Sequence, residues 1–214
     1  MDKRRRVLGY YNYTVVLTYL GMLSGFTGII CAMERNFRAA LACLLVAGIC
    51  DMFDGTIAST KVRDASEKRF GIQIDSLSDL VCFGMLPAVY VCRLETRNYV
   101  CFWVAGMYLL CTLIRLAYFN VLEEERQQTT TERRKCYMGL PVTTMAMFLP
   151  AVNALCGFRR KSALAPCCVL LLLAGAAYLS PITIKKPAIV GKIIMIAIGV
   201  VEVAALFMGA IWDV

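Results

Sequence analysis

Apolar residues dominate this chain in runs, and polar residues collect in the short gaps between them. The runs lie near 13–32, 38–59, 71–92, 99–122, 138–157, 163–180 and 188–211. Each is close to the roughly 20 residues that a helix needs to cross a bilayer. Within a bilayer a span must satisfy its own backbone hydrogen bonds, so the pattern predicts helices throughout. One connection, 122–137, is long and polar, and is expected to form a short surface helix or a flexible lid. Ser180-Pro181 and then Lys185-Lys186-Pro187 mark a turn between the last two runs. Little sequence is left for a soluble unit. The expectation is one all-α, polytopic transmembrane domain over residues 1–214.

Charge adds an orientation. If the runs alternate sides from an internal N-terminus, the inner connections hold fourteen basic residues, among them Lys3, Arg4, Arg5, Arg6, Lys61, Arg63, Lys68 and Arg69. The outer connections hold seven: Arg35, Arg38, Arg93, Arg97, Arg159, Arg160 and Lys161. Short loops rich in Lys and Arg stay on the cytoplasmic side, which predicts a cytoplasmic N-terminus in a cell membrane. The Arg159–Lys161 cluster runs against the trend. The Lys3–Arg6 tract precedes an apolar run as in a signal peptide, but no small-residue cleavage site follows, so it is read as the start of an uncleaved first span. Tyr10, Tyr11, Tyr13 and Trp212 read as interfacial anchors.

Composition narrows the chemistry. Hydrophobic residues make up 59% of the 214, against about 45–50% in soluble domains, and the mean hydropathy is +0.65. The net charge of +8 is scattered over loops and offers no continuous face for nucleic acid. Histidine is absent. That excludes a Ser-His-Asp triad, His-ligated zinc and imidazole proton transfer. The eleven cysteines, including Cys43, Cys50, Cys82, Cys101 and Cys111, lie mostly within apolar runs without metal spacing, and read as small core residues.

Against this background four carboxylates stand out. Asp51, Asp54, Asp75 and Asp79 fall within or at the end of apolar runs, where an unpaired charge costs at least a few kcal/mol. Asp51 and Asp54 are three apart and share one helix face, and Asp75 and Asp79, four apart, share another. Converging from neighbouring helices, they would form an oxygen cage for a hard divalent cation, Mg²⁺ or Mn²⁺. Two ions about 3.5–4 Å apart suit displacement at phosphorus. Salt bridging to Arg115, or proton carriage in a transporter, are the other uses of intramembrane aspartates. A transporter is expected to show repeat symmetry and broken helices in matching halves, which the chain lacks.

The stretch Asp51-x-x-Asp54-Gly55-x-x-Ala58, followed by Gly71-x-x-x-Asp75-x-x-x-Asp79, resembles the signature of the CDP-alcohol phosphatidyltransferases. Within that family FGIQIDSLSDLVCFGMLPA at 70–88, IRLAYFNVL at 114–122 and MGLPVTT at 138–144 most resemble phosphatidylserine synthases. The chain departs in two places. Ser59 stands where the family usually has Arg, and the spacing from there to Gly71 is three residues longer than the common form.

The resemblance implies a bundle of six core helices plus one or two more. It implies transfer of the phosphatidyl group of CDP-diacylglycerol to the hydroxyl of L-serine, or to another alcohol such as inositol phosphate, glycerol phosphate or choline, with CMP leaving. By the same resemblance Asp51, Asp54 and Asp75 bind metal, and Asp79 completes a second metal site and accepts the proton of the incoming hydroxyl. Gly55, Ala58 and Gly71 line the cytidine pocket, and a homodimer among membrane lipids is expected. Ser59, Lys61 and Arg63 are candidates for the phosphate grip, and Arg115, Arg134 and Lys186 for the acceptor carboxylate. Glu202, in the last run, is read as a helix–helix contact.

Overall fold

A computed structural model describes residues 9–58, 60–61, 64–95, 98–129, 136–157, 159–185, 197, 199–202 and 204. The predicted helix at 188–211 lies mostly outside these residues, as do Ser59, Arg63, Arg134, Lys186 and Trp212. After a single 3₁₀ turn at Tyr13–Val15 come α1 (Val16–Met33) and α2 (Phe37–Ala58). Next are α3 (Ala65–Asp79), a π-helical segment (Leu80–Met85) and α4 (Leu86–Leu94), which together form one continuous rod. Then follow α5 (Tyr99–Thr129), a 3₁₀ turn at Val142–Thr144, α6 (Met145–Leu155) and α7 (Arg160–Tyr178). Among the described residues four rods are long and apolar enough to cross a membrane: Tyr13–Met33, Phe37–Ala58, Ala65–Leu94 and Tyr99–Arg126. This is a membrane protein built as a helical bundle.

Three elements differ from the pattern-based reading, each for a local reason. The third helix begins at Ala65 rather than near 71, because Asp64 caps it: Asp64 Oδ1 accepts from the Glu67 backbone N–H at 2.6 Å. The fifth does not stop at 122. It continues as helix through the polar stretch to Thr129, where Arg126 pairs with Glu123 one turn back at 2.5 Å. The expected helix from 138 starts only at Met145, because Gly139 takes a φ of +72° and Pro141 an extended backbone. A short antiparallel ribbon precedes that turn, with β1 (Cys136–Met138) paired to β2 (Thr183–Lys185) in the register Tyr137 to Ile184. The ribbon is an addition to the all-helical expectation.

Packing follows membrane rules. The buried stripe of α1 is Thr18, Gly21, Gly25, Gly28, Ile29 and Ala32, mostly small residues that let backbones approach. A Cβ on Gly25 would sit 2.5 Å from Cys82 Sγ, so α1 lies directly against the π segment. Leu41, Leu44, Phe83, Leu86, Tyr90, Tyr108, Met145, Leu149 and Leu171 fill the centre. Tyr90 OH donates to Asn153 Oδ1 at 2.7 Å, and the Arg93 guanidinium caps α1 through the Met33 carbonyl at 2.7 Å. Large apolar side chains such as Phe26, Phe102, Trp103 and Leu173 remain on the outer faces, as a lipid-facing surface requires.

Candidate active site

The last two turns of α2 carry Asp51 and Asp54, and the last two of α3 carry Asp75 and Asp79. One carboxylate oxygen from each of Asp51, Asp54 and Asp75 lies within 4.8 Å of the others. Asp79 lines the same small cavity, one helical turn deeper, outside that three-oxygen set. Leu17, Thr18 and Gly21 of α1 form one wall and Phe83 of the π segment another. The cavity is about 10 Å³, room for about one water molecule, and no Lys or Arg is among its described lining residues.

Hydrogen bonds to and from α1 hold this arrangement. Thr18 Oγ1 donates to Asp54 Oδ2 at 3.3 Å, and Ser78 Oγ donates to the Thr18 carbonyl at 3.3 Å. On the far side of α3, Ser76 Oγ and Asn120 Oδ1 of α5 lie 2.6 Å apart, fixing the rotation of the helix beside Asp75.

These residues fit a divalent cation. Several carboxylates packed together repel one another unless a cation lies between them, and all the donors are oxygen.

The other expected site residues divide. Gly55 follows Asp54 at an exposed position, and a Cβ there would meet nothing within 4 Å, leaving the backbone open to a ligand. Ala58 ends α2 and Gly71 lies one turn before Asp75, both half-buried. Lys61 Nζ is engaged with Glu67 at 3.3 Å. Tyr10, expected as an interfacial anchor, packs against Phe70 with ring centroids 5.4 Å apart. Glu202 is buried at 6% exposure.

Arg115 is buried on α5. Its Nε donates to the Leu140 carbonyl at 2.7 Å, its guanidinium lies 5.4 Å from the centroid of Phe119, and its charge acts on Asp51 and Asp79. It also lines a second cavity of about 300 Å³ with Tyr118, Phe119, Tyr178 and Ser180. Sequence reasoning overlooked Thr18, Ser78 and Asn120. The available signal was a hydroxyl or amide in an apolar run, which by itself does not say what it faces.

A family model described as CDP-alcohol phosphatidyltransferase matches residues 11–211. The chain is 32% identical over 154 residues to a CDP-diacylglycerol–serine O-phosphatidyltransferase of Mycobacterium leprae, covering 72% of this chain and 50% of that one. It is 30% identical over 149 residues to an archaetidylserine synthase of Methanothermobacter thermautotrophicus, covering 69% and 60%. A CDP-diacylglycerol–serine O-phosphatidyltransferase of Saccharomyces cerevisiae is 30% identical over 151 residues, covering 61% and 51%. The chain spans about half the length of the curated relatives it matches. No solved structure gives a significant match.

Proposed function

This chain belongs to the CDP-alcohol phosphatidyltransferase family, and from that premise we propose that it transfers the phosphatidyl group of CDP-diacylglycerol to L-serine, releasing phosphatidylserine and CMP. The observation that carries the reading is the convergence of Asp51, Asp54 and Asp75 within 4.8 Å at the end of two membrane helices. Serine as acceptor is supported by relatives whose names share the serine headgroup while differing in the lipid.

Asp51, Asp54 and Asp75 would hold a divalent cation, Mg²⁺ or Mn²⁺, and Asp79 would complete a second metal site. When bound, the metal neutralises charge on the diphosphate without proton transfer. Gly55, Ala58 and Gly71 line the cytidine side, where the open face of Gly55 admits a ring against backbone. The serine hydroxyl attacks the phosphorus of the phosphatidyl group, a new P–O bond forms, and the bond to CMP breaks. Asp79 takes the hydroxyl proton, as an alcohol near neutral pH requires a positioned base. Arg115 meets the serine carboxylate from the 300 Å³ cavity it lines. No covalent enzyme intermediate is needed.

The basic bias of the inner connections supports a site facing the cytoplasm, and a homodimer is proposed from the family resemblance. The test is purified protein in detergent with CDP-diacylglycerol, Mn²⁺ and a panel of labelled alcohols, following CMP release. Serine-dependent phosphatidylserine formation is expected. CMP release only with a different alcohol would transfer the reading to that acceptor.

A further inference from the structure

Asp79 is the last residue of α3, and the backbone that follows it is not α-helical. Leu80–Met85 form a π segment in which the Leu86 N–H reaches back to the Val81 carbonyl, five residues away. A widened turn of this kind adds one residue, and so rotates everything after it by about 100° relative to everything before. Without that rotation Asp75, Asp79, Phe83, Leu86 and Tyr90 would fall on one face at spacings of three and four. The π segment separates them, so the carboxylates face the cavity while Leu86 and Tyr90 enter the apolar core at 1% and 2% exposure.

The segment leaves a backbone group to satisfy. Pro87 has no N–H, so the Phe83 carbonyl lacks its ordinary partner four residues on. An unpaired carbonyl in an apolar interior is costly. Tyr108 of α5 resolves this: its hydroxyl donates to the Phe83 carbonyl. The Tyr108 hydroxyl lies 3.4 Å from that of Tyr178, which donates to the Val142 carbonyl at 3.2 Å. Thr112 Oγ1 donates to the Tyr108 carbonyl at 2.9 Å, and Tyr108 is 1% exposed. Both phenol contacts are thus at the hydroxyl, which bonds to the segment that directly follows Asp79.

We propose that Tyr108 is a positioning residue for phosphatidyl transfer, fixing the π segment through the Phe83 carbonyl so that Asp79 is aimed at the acceptor hydroxyl. The inference rests on the proposed function in assigning Asp79 the proton. It goes beyond that function in placing a determinant of turnover on α5, outside the aspartate cavity.

A small misplacement of a catalytic group lowers turnover without weakening substrate binding. Tyr108→Phe keeps the ring and removes only the hydroxyl. It should lower kcat about tenfold or more, with KM for CDP-diacylglycerol and serine changed less than about twofold. Tyr90→Phe is the matched control, since it also deletes a buried tyrosine hydrogen bond but one that ends on Asn153. It should leave kcat unchanged even if Tm falls as far. The decisive measurement is a double-mutant cycle. In an Asp79→Asn background, Tyr108→Phe should cost nothing further in turnover, because the group it positions has been disabled. An equal cost in both backgrounds, or the same kcat loss in Tyr90→Phe, overturns the proposal. The two possible failures separate. A wild type that releases no CMP with any alcohol overturns the function and this inference together, whereas an active wild type with an equally active Tyr108→Phe overturns this inference alone.

Discussion

Thr18 on α1 donates its hydroxyl to Asp54 Oδ2 on α2 across 3.3 Å, so an α1 side chain orients the carboxylate adjoining the open backbone of Gly55. The bond ties the carboxylate cluster to a helix that supplies no carboxylate of its own. Outer partners of this kind orient metal ligands, and their removal typically costs 10–100-fold in metal affinity. Thr18→Val, which keeps the shape, should raise the Mn²⁺ concentration for half-maximal CMP release by about tenfold. A Mn²⁺ titration that superimposes on the wild type would show that α1 only walls the cavity.

Metal removal follows directly from the oxygen-only cage. Activity should vanish after treatment with EDTA and return with added Mg²⁺ or Mn²⁺. Full turnover by rigorously chelated protein would rule out the metal assignment.

The aspartates should divide their labour, because Asp79 lies outside the three-oxygen set. Asp79→Asn keeps an oxygen but loses basicity, so turnover should fall by about 10²–10⁴-fold while titration calorimetry still detects CDP-diacylglycerol binding. Asp54→Asn should lose the binding as well. Equal loss of binding in both would mean that the four carboxylates act as a single cage.

Arg115 is the contact proposed for the acceptor carboxylate. Arg115→Gln removes the charge that a serine carboxylate would meet, and should raise KM for serine about tenfold or more with KM for CDP-diacylglycerol nearly unchanged. A rise confined to CDP-diacylglycerol would move Arg115 to the diphosphate instead.

Orientation is tested at Ser66, an exposed position in the first turn of α3. A cysteine placed there, in a background stripped of native cysteines, should react with an impermeant reagent only in inverted or opened membranes. Labelling in intact cells would reverse the topology.

The sequence by itself determined the membrane class, the helical bundle and the placing of four aspartates in apolar runs. Each of these depends on local periodicity or on the cost of charge in an apolar run, and needs no knowledge of neighbours. Helix ends were legible only where their chemistry was considered. The Asp64 cap on the Glu67 N–H lies openly in the sequence, yet the polar character of 59–71 masks it as loop. Likewise the Glu123–Arg126 pair extends α5 through residues that hydropathy alone assigns to a connection.

What only the tertiary structure decided is which side chains meet. The approach of α1 to α2 at Gly21, where a Cβ would meet Cys50, brings Thr18 to Asp54, 36 residues away. The engagement of Arg115 with the Leu140 carbonyl depends on how two segments lie side by side. The π segment is the clearest instance. Its residues, Leu-Val-Cys-Phe-Gly-Met, differ little from any apolar helix, and it is Tyr108, from a separate helix, that supplies the Phe83 carbonyl with the donor Pro87 lacks. Local sequence encodes propensity. A backbone carbonyl satisfied across 25 residues is decided by packing, because its partner is fixed only when the helices are brought together.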